Sequence, residues 1–281
     1  VLVGNWTARY AGGNYSVMMG HRASQDGASH NSVHIGHSSG RENDGDSNVA
    51  VGYQTISETA TGSTISNSVA LGYQALKGTT TSTAAGVVAV GYQALTALTT
   101  GAGNTAVGYQ AGATLSTSSN NTLVGYGALA SANPGSGNIT AIGYNALNAF
   151  TGYAQMTAVG AESMATSTGG ANGTTAVGFQ SGYSSPSQYS VYIGHRAGHS
   201  ASGSNNVAVG FDAGYNADGN NNIAIGWRAV YGNGAKAENI GIGTQAGKDL
   251  TTGSSNILIG YQAGSTLTTE SNKLYIENSN S

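Results

Sequence analysis

A short hydrophobic pattern, in which bulkier residues alternate with small ones and end at a glycine, recurs along the whole chain. The segment Asn206–Gly210, with the sequence N-V-A-V-G, is a clear copy. Counted from the glycine, position −1 is aliphatic, position −3 is Val, Ile or Thr, and position −2 is most often Ala. The repeated glycines are Gly4, Gly20, Gly36, Gly52, Gly72, Gly91, Gly108, Gly125, Gly143, Gly160, Gly178, Gly194, Gly210, Gly226, Gly243 and Gly260.

The spacing of these glycines predicts an array of one small unit. Successive glycines lie 16 to 20 residues apart, which is typical of stacked repeats. Alternation with a period of two predicts a strand that ends at each glycine. We therefore predict an all-β fold, a parallel β-solenoid (β-roll) of about 16 coils in a single domain over 1–281, with a terminal strand at 274–277. Each coil is expected to contain a strand, a glycine turn, a second short strand and a loop.

The two faces of the predicted strand differ in composition. We expect the β-branched residues at −1 and −3 to fill the interior of each coil. The Ala and Gly residues would then form a bare outer face, which is typical of a place where another backbone comes close. This favours self-association, although Ala on a lightly exposed sheet is the alternative. The predicted structural residues are Gly52, Gly72, Gly91, Gly108, Gly125, Gly210, Val51, Val90, Val107, Val124, Val209, Ile225 and Ile259.

An aromatic residue often follows the glycine, and we expect these rings to stack from coil to coil about 4.8 Å apart. The column is a possible sugar-binding surface, although stacking within the fold is the commoner use of such rings. The candidates are Tyr73, Tyr92, Tyr109 and Tyr126. The long Ser/Thr/Gly-rich loops between Lys77 and Asn138 are better candidates for a binding surface, because loops vary while the frame holds them.

Composition and motifs give little sign of chemistry. Only 7% of residues are charged and the net charge is −3, so we expect no nucleic-acid partner. No apolar run is long enough to span a membrane. Gly243–Lys248, G-T-Q-A-G-K, departs from the phosphate-binding loop, since Asp249 stands where Ser or Thr would hold magnesium. The carboxylates, among them Glu58 and Glu162, are scattered. We expect no enzymatic activity, no catalytic residue and no cofactor.

The histidines of the first coils form the one constellation that suggests a metal. His34 falls on the predicted outer face, whereas His21 and His37 fall in the aromatic column. Three copies of His34 could converge on a metal or anion if three chains met there. The favoured interpretation is that these rings only stack in place of Tyr, so no metal site is predicted.

The repeated N-x-V-A-V-G-Y-Q-A-L/G, as at Asn104–Gly112 and Asn206–Gly214, resembles two kinds of protein. One is the head repeat of trimeric autotransporter adhesins, and the other is the phage tail fibre with G-Y-Q-A-L repeats. The closing N-K-L-Y-I-E-N-S of Asn272–Ser279 is similar to a junction sequence of such fibres. The resemblance implies a left-handed β-roll, a homotrimer and a role in attachment.

These expectations converge on a rigid segment of a homotrimeric attachment protein, located in a virion tail fibre or on a cell surface. Its partners would be itself and a cell-surface glycan or protein receptor. Two alternatives stay open. One is a bacterial surface adhesin or extracellular filament of the same fold, and the other is a monomeric solenoid that binds carbohydrate or ice.

Overall fold

The protein forms a parallel β-solenoid, as the glycine spacing predicts. The computed structural model describes residues 1–7, 14–57, 62–78, 82–150, 152, 155–168, 172–232, 234 and 236–277. All secondary-structure elements within these ranges are short β-strands, so the predicted all-β class is confirmed. Glu58 and residues 278–281, which entered the sequence argument, lie outside the described ranges.

Two compact units make up the chain, Val1–Ile142 and Gly143–Ser281. The prediction of one domain over 1–281 stays a prediction. The strands of the first unit are β1 Leu2–Val3, β2 Val17–Met19, β3 Val33–Ile35, β4 Val49–Val51, β5 Val69–Leu71, β6 Val88–Val90, β7 Thr105–Val107, β8 Thr122–Val124 and β9 Thr140–Ile142. Those of the second are β10 Thr157–Val159, β11 Thr175–Val177, β12 Val191–Ile193, β13 Val207–Val209, β14 Ile223–Ile225, β15 Ile240–Ile242, β16 Ile257–Ile259 and β17 Leu274–Ile276.

Within each unit, successive strands pair in parallel with equivalent positions opposite each other. In the first unit, Ala70 pairs with Ala89, and in the second Ala208 pairs with Ala224. The last strand keeps this register, since Ile276 pairs with Ile259. The sequence repeat is therefore also the structural repeat, and each side chain lies beside its counterpart in the next coil.

The glycine and the four residues after it form a turn, and the predicted second strand is wrong for the described coils. In the coil of Gly72, Gln74 has φ 54° and Leu76 has φ 50°. Two left-handed residues separated by a single residue cannot continue an extended strand. They bend the chain tightly enough to close a coil within 16 residues or a few more.

Position −2, which most often carries Ala, faces the interior of the coils from β2 to β16, so the predicted assignment of the two strand faces is wrong. Ala50, Ala70 and Ala89, all at position −2, are fully buried. Residues at −1 and −3 are only half-buried or exposed, and Val107 is 37% exposed. This correction covers the valines and isoleucines expected inside, namely Val51, Val90, Val107, Val124, Val209, Ile225 and Ile259.

The tight turn explains why the larger residues are outside. It directs a second set of side chains inward, at positions +3 and +4, such as Ala75 and Leu76, both fully buried. Where a leucine at +4 is opposite an alanine at −2, as with Leu76 and Ala70, the leucine supplies most of the apolar volume. Alternation with a period of two identifies two faces, but it does not tell which of them is inside.

Glycines at the strand ends do permit a close backbone approach, but the approaching backbone belongs to the next coil of the same chain. The repeated glycines have φ between 123° and 141°. A Cβ atom on Gly210 would lie 2.7 Å from the carbonyl oxygen of Gly226, closer than such atoms can come. The glycines therefore do not support the predicted contact between chains.

Buried asparagines at position −4 form a hydrogen-bonded ladder inside the second unit. The Oδ1 atom of Asn206 accepts a bond from the backbone N–H of Asn222 at 2.8 Å. Asn222 accepts from Asn239 at 3.0 Å, and Asn239 from Asn256 at 3.1 Å. All four side chains are at most 2% exposed. The ladder satisfies polar groups that would otherwise be costly to bury.

Candidate interaction face

The most extensive unpaired feature of the described coils is an aliphatic face, which we define as positions −3 and −1 of every strand. Its side chains are half-buried or exposed, for example 39% exposed in Met19, 42% in Ile193 and 38% in Ile225. Residues at −3 include the threonines from Thr105 to Thr175, half-buried or exposed. A regular apolar surface of this kind is typical of an interaction site.

An aromatic column runs beside the aliphatic face at position +1. In the first unit, ring centroids lie 5.1 Å apart between Tyr53 and Tyr73, 5.2 Å between Tyr73 and Tyr92, and 4.8 Å between Tyr109 and Tyr126. The predicted stacking is therefore present. The rings are 40% to 53% exposed, but Tyr73, Tyr92 and Tyr109 are each covered on both faces by neighbours.

This geometry limits what the column can bind. A sugar ring that stacks on an aromatic side chain needs an open ring face, and the three covered tyrosines present only their edges. Beside them the side-chain amide of Gln110 donates to Gln93 at 3.1 Å, and that of Gln93 donates to Gln74 at 3.0 Å. The column therefore offers edges and hydroxyls to a partner, but it offers no stacking platform at these coils.

His34 is inside the coil, so the predicted outward position, on which its candidacy as a metal ligand rests, is wrong. It occupies position −2, where its side chain is fully buried. Neither ring nitrogen has a hydrogen-bond partner, and burial lowers the pKa of His34 to about 4. His21 and His37 stack in the aromatic column with centroids 5.0 Å apart. No group of three or more metal-binding side chains is present among the described residues.

The second unit carries a charged cluster at position +2. Arg196 holds the fully buried carboxylate of Asp212 through two hydrogen bonds, at 2.9 Å and 3.2 Å. The Nε of Arg228 lies 3.5 Å from the same carboxylate. The guanidinium of Arg196 also lies 4.7 Å from the centroid of the Tyr215 ring. Sequence reasoning treated these charges as scattered, although their common position in successive coils brings them together.

A second aromatic column, at position +5, was also missed. Tyr183, His199 and Tyr215 stack with centroids 5.1 Å and 4.7 Å apart, and Tyr231 follows at 5.4 Å with a tilt of 31°. The signal was present in the sequence, because these four residues stand five positions after their glycines.

The turn at Gly243–Lys248 is the ordinary turn of its coil, with the Gly247 N–H donating to Ala263 of the next coil at 2.9 Å. Lys248 pairs with Asp249 at 3.7 Å. The long loops from Lys77 to Asn138 are described apart from residues 79–81. No helix among the described residues could cross a membrane.

Comparison with known proteins adds no relative. The sequence matches no protein-family model and no curated protein.

Proposed function

We propose that the chain is a structural segment of a homotrimeric attachment protein, similar to a phage tail fibre, and that it acts as a rigid support for receptor-binding surfaces. The proposal includes a location in a virion tail fibre or on a cell surface, and a glycan or protein receptor. A bacterial surface adhesin of the same fold is the closely related alternative.

The aliphatic face carries this proposal. Each described coil contributes two side chains to it, and both stay partly exposed in the single chain, as with Val49 at 37% and Ile257 at 40%. Covering an exposed apolar row on many consecutive coils would stabilise the chain in proportion to the buried area, by about 25 cal/mol per Å². A row that recurs at the same two positions of every strand suits a partner with the same repeat, such as a second and a third copy of this chain.

A charge placed on the aliphatic face tests the proposal. Sedimentation of the intact chain should give the mass of a trimer. Val107→Asp would bring a carboxylate into the interface, so we expect that variant to dissociate to monomers. Ala102→Asp is the matched control, because Ala102 is exposed in the same coil but lies outside the aliphatic face. A monomeric unsubstituted chain would overturn the trimer, and a trimeric Val107→Asp variant would place the interface elsewhere.

One observation favours a second function, a monomeric ice- or carbohydrate-binding solenoid. Thr occupies position −3 in β7 to β11, and that row is on the outer face rather than inside. A regular row of exposed threonines is what an ice-binding surface would need. The same sedimentation experiment separates the two functions, because this one requires a stable monomer.

A further inference from the structure

The second aromatic column ends at a slot on the surface of the second unit. The column begins at Tyr183, since the equivalent residue one coil earlier is Ala165 and not an aromatic residue. One face of Tyr183 is covered by His199, with centroids 5.1 Å apart and an angle of 16°. The other face borders a cavity of about 150 Å³. Tyr183 thus has the open ring face that Tyr73 and Tyr92 lack.

Polar groups surround the open face. The cavity is lined by Tyr183, Glu162, Asn145, Asn148, Ala165, Ala149 and Thr166. One carboxylate oxygen of Glu162, Oε2, accepts from Gln180 at 2.7 Å, which fixes the carboxylate and leaves Oε1 for another donor. Oδ1 of Asn145 accepts from Asn148 at 3.3 Å, and Nδ2 of Asn145 takes no part in that bond. The slot thus combines the ring face of Tyr183 with the carboxylate of Glu162, which accepts hydrogen bonds, and with the side-chain amides of Asn145 and Asn148.

The slot has the dimensions of one ring. Successive coils are about 4.8 Å apart, so the two steps from Tyr183 to the coil of Asn145 span on the order of 10 Å. A ring in the slot would continue the column at the level of Ala165. The volume of about 150 Å³ is below the roughly 300 Å³ at which drug-sized sites begin, so a single ring fits better than an extended chain.

From this geometry we propose that the slot binds one neutral pyranose, the terminal or branch residue of a glycan. The sugar's C–H face packs on Tyr183, and its hydroxyls donate to Glu162 and bond to the side-chain amide of Asn145. The carboxylate of Glu162 selects against acidic sugars by charge repulsion. This proposal rests on the proposed attachment role, because the sugar would belong to the receptor glycan.

The test uses the intact chain and ligand-observed NMR with methyl β-galactopyranoside, methyl β-glucopyranoside and glucuronic acid as probes. We expect at least one neutral glycoside to bind and glucuronic acid not to bind. Ala165→Tyr should abolish binding, because the new ring fills the slot and extends the column. Lys248→Tyr is the matched control, since it adds a ring at the same position beyond the other end of the column and leaves the slot open. Glu162→Gln should weaken binding about tenfold.

Several outcomes would overturn the proposal. These are the absence of binding by every neutral probe, preferential binding of glucuronic acid, or binding that survives Ala165→Tyr in a chain whose circular dichroism is unchanged. Sedimentation of the same samples keeps this result apart from the trimer. A monomer that binds the sugar would refute the trimer and retain the slot, whereas a trimer that binds none of the probes would refute the slot alone.

Discussion

The ring of Tyr192 occupies the space that a side chain at Gly198 would need. A Cβ atom on Gly198 would overlap the Tyr192 ring, which is fully buried and donates or accepts a 2.8 Å hydrogen bond with Ser187. The two residues occupy positions −2 and +4 of one coil. Where −2 is Ala, as in Ala70, position +4 can hold a large residue, as in Leu76. The coils of Gly72 and Gly194 therefore each hold one large side chain at these two positions, whereas the coil of Gly125 buries two leucines there, Leu123 and Leu129.

This relationship predicts a strong coupling between the two positions. Gly198→Leu alone should destabilise the protein by about 3 kcal/mol through overpacking, and Tyr192→Ala alone by about 4 kcal/mol through a cavity. The double variant recreates the pair of Ala70 and Leu76, so we expect it to be more stable than either single variant. Urea unfolding of the four proteins measures the coupling, and simple additivity of the two effects would contradict it.

The buried His34 predicts a loss of stability in acid. Burial lowers the pKa of His34 to about 4 from the ordinary histidine value of 6.5, so the unfolded chain takes up the proton first as the pH falls. The contribution of the neutral His34 side chain to the stability of the folded state is complete above pH 6.5 and is lost as the pH falls towards about 4. That difference in pKa corresponds to about 3 kcal/mol.

Replacing the imidazole should remove this pH dependence. His34→Leu fits the same space, because Gly40 leaves room for a large residue as Gly264 does for Leu258. We expect the variant to unfold at a higher temperature than the unsubstituted protein at pH 5. The control is His37→Tyr, which changes an exposed ring of the aromatic column to the commonest residue there. An equal loss of stability in acid for His34→Leu would show that other groups are responsible.

Glycines at the strand ends and glycines in loops should differ sharply in their tolerance of a methyl group. A Cβ atom on Gly72, at φ 129°, would lie 2.5 Å from the carbonyl oxygen of Gly91, whereas one on Gly86, at φ 65°, would meet nothing within 4 Å. Gly72→Ala should cost at least about 3 kcal/mol. Gly86→Ala should cost only about 1 kcal/mol, the penalty of the left-handed backbone.

Thermal unfolding followed by circular dichroism compares these two variants directly. Equal losses of stability in the two variants would mean that the close backbone contact between Gly72 and Gly91 does not restrict which residue can stand at Gly72. A Gly72→Ala variant that remains folded should relax by separating these two coils, which hydrogen exchange at the neighbouring amides would detect.

The sequence specified the fold well, because regular glycine spacing and alternation allow few arrangements other than a stacked coil. It did not specify the inner face. Val209 and Ala208 would alternate whichever of them faced inward. The inner face is set by the turn, in which the Leu or Gly at position +4 adopts a left-handed conformation that is unusual for leucine. Equivalent positions within the repeat did carry that information, since Gly198 accompanies Tyr192 just as Leu76 accompanies Ala70. The slot could have been found from Ala165, which directly precedes the aromatic run at position +5.

The asparagine ladder has a consequence for how such a chain changes length. Each of Asn222 and Asn239 gives a hydrogen bond to the preceding rung and accepts one from the following rung. Duplicating or deleting one entire coil leaves this exchange balanced. Replacing a single asparagine keeps the backbone N–H that donates to the preceding rung, but it removes the Oδ1 acceptor of the following rung and leaves that buried N–H unpaired. Duplication of a whole coil is thus energetically easier than substitution of one asparagine of the ladder. Relatives of this protein should therefore differ in the number of coils more readily than at these buried asparagines.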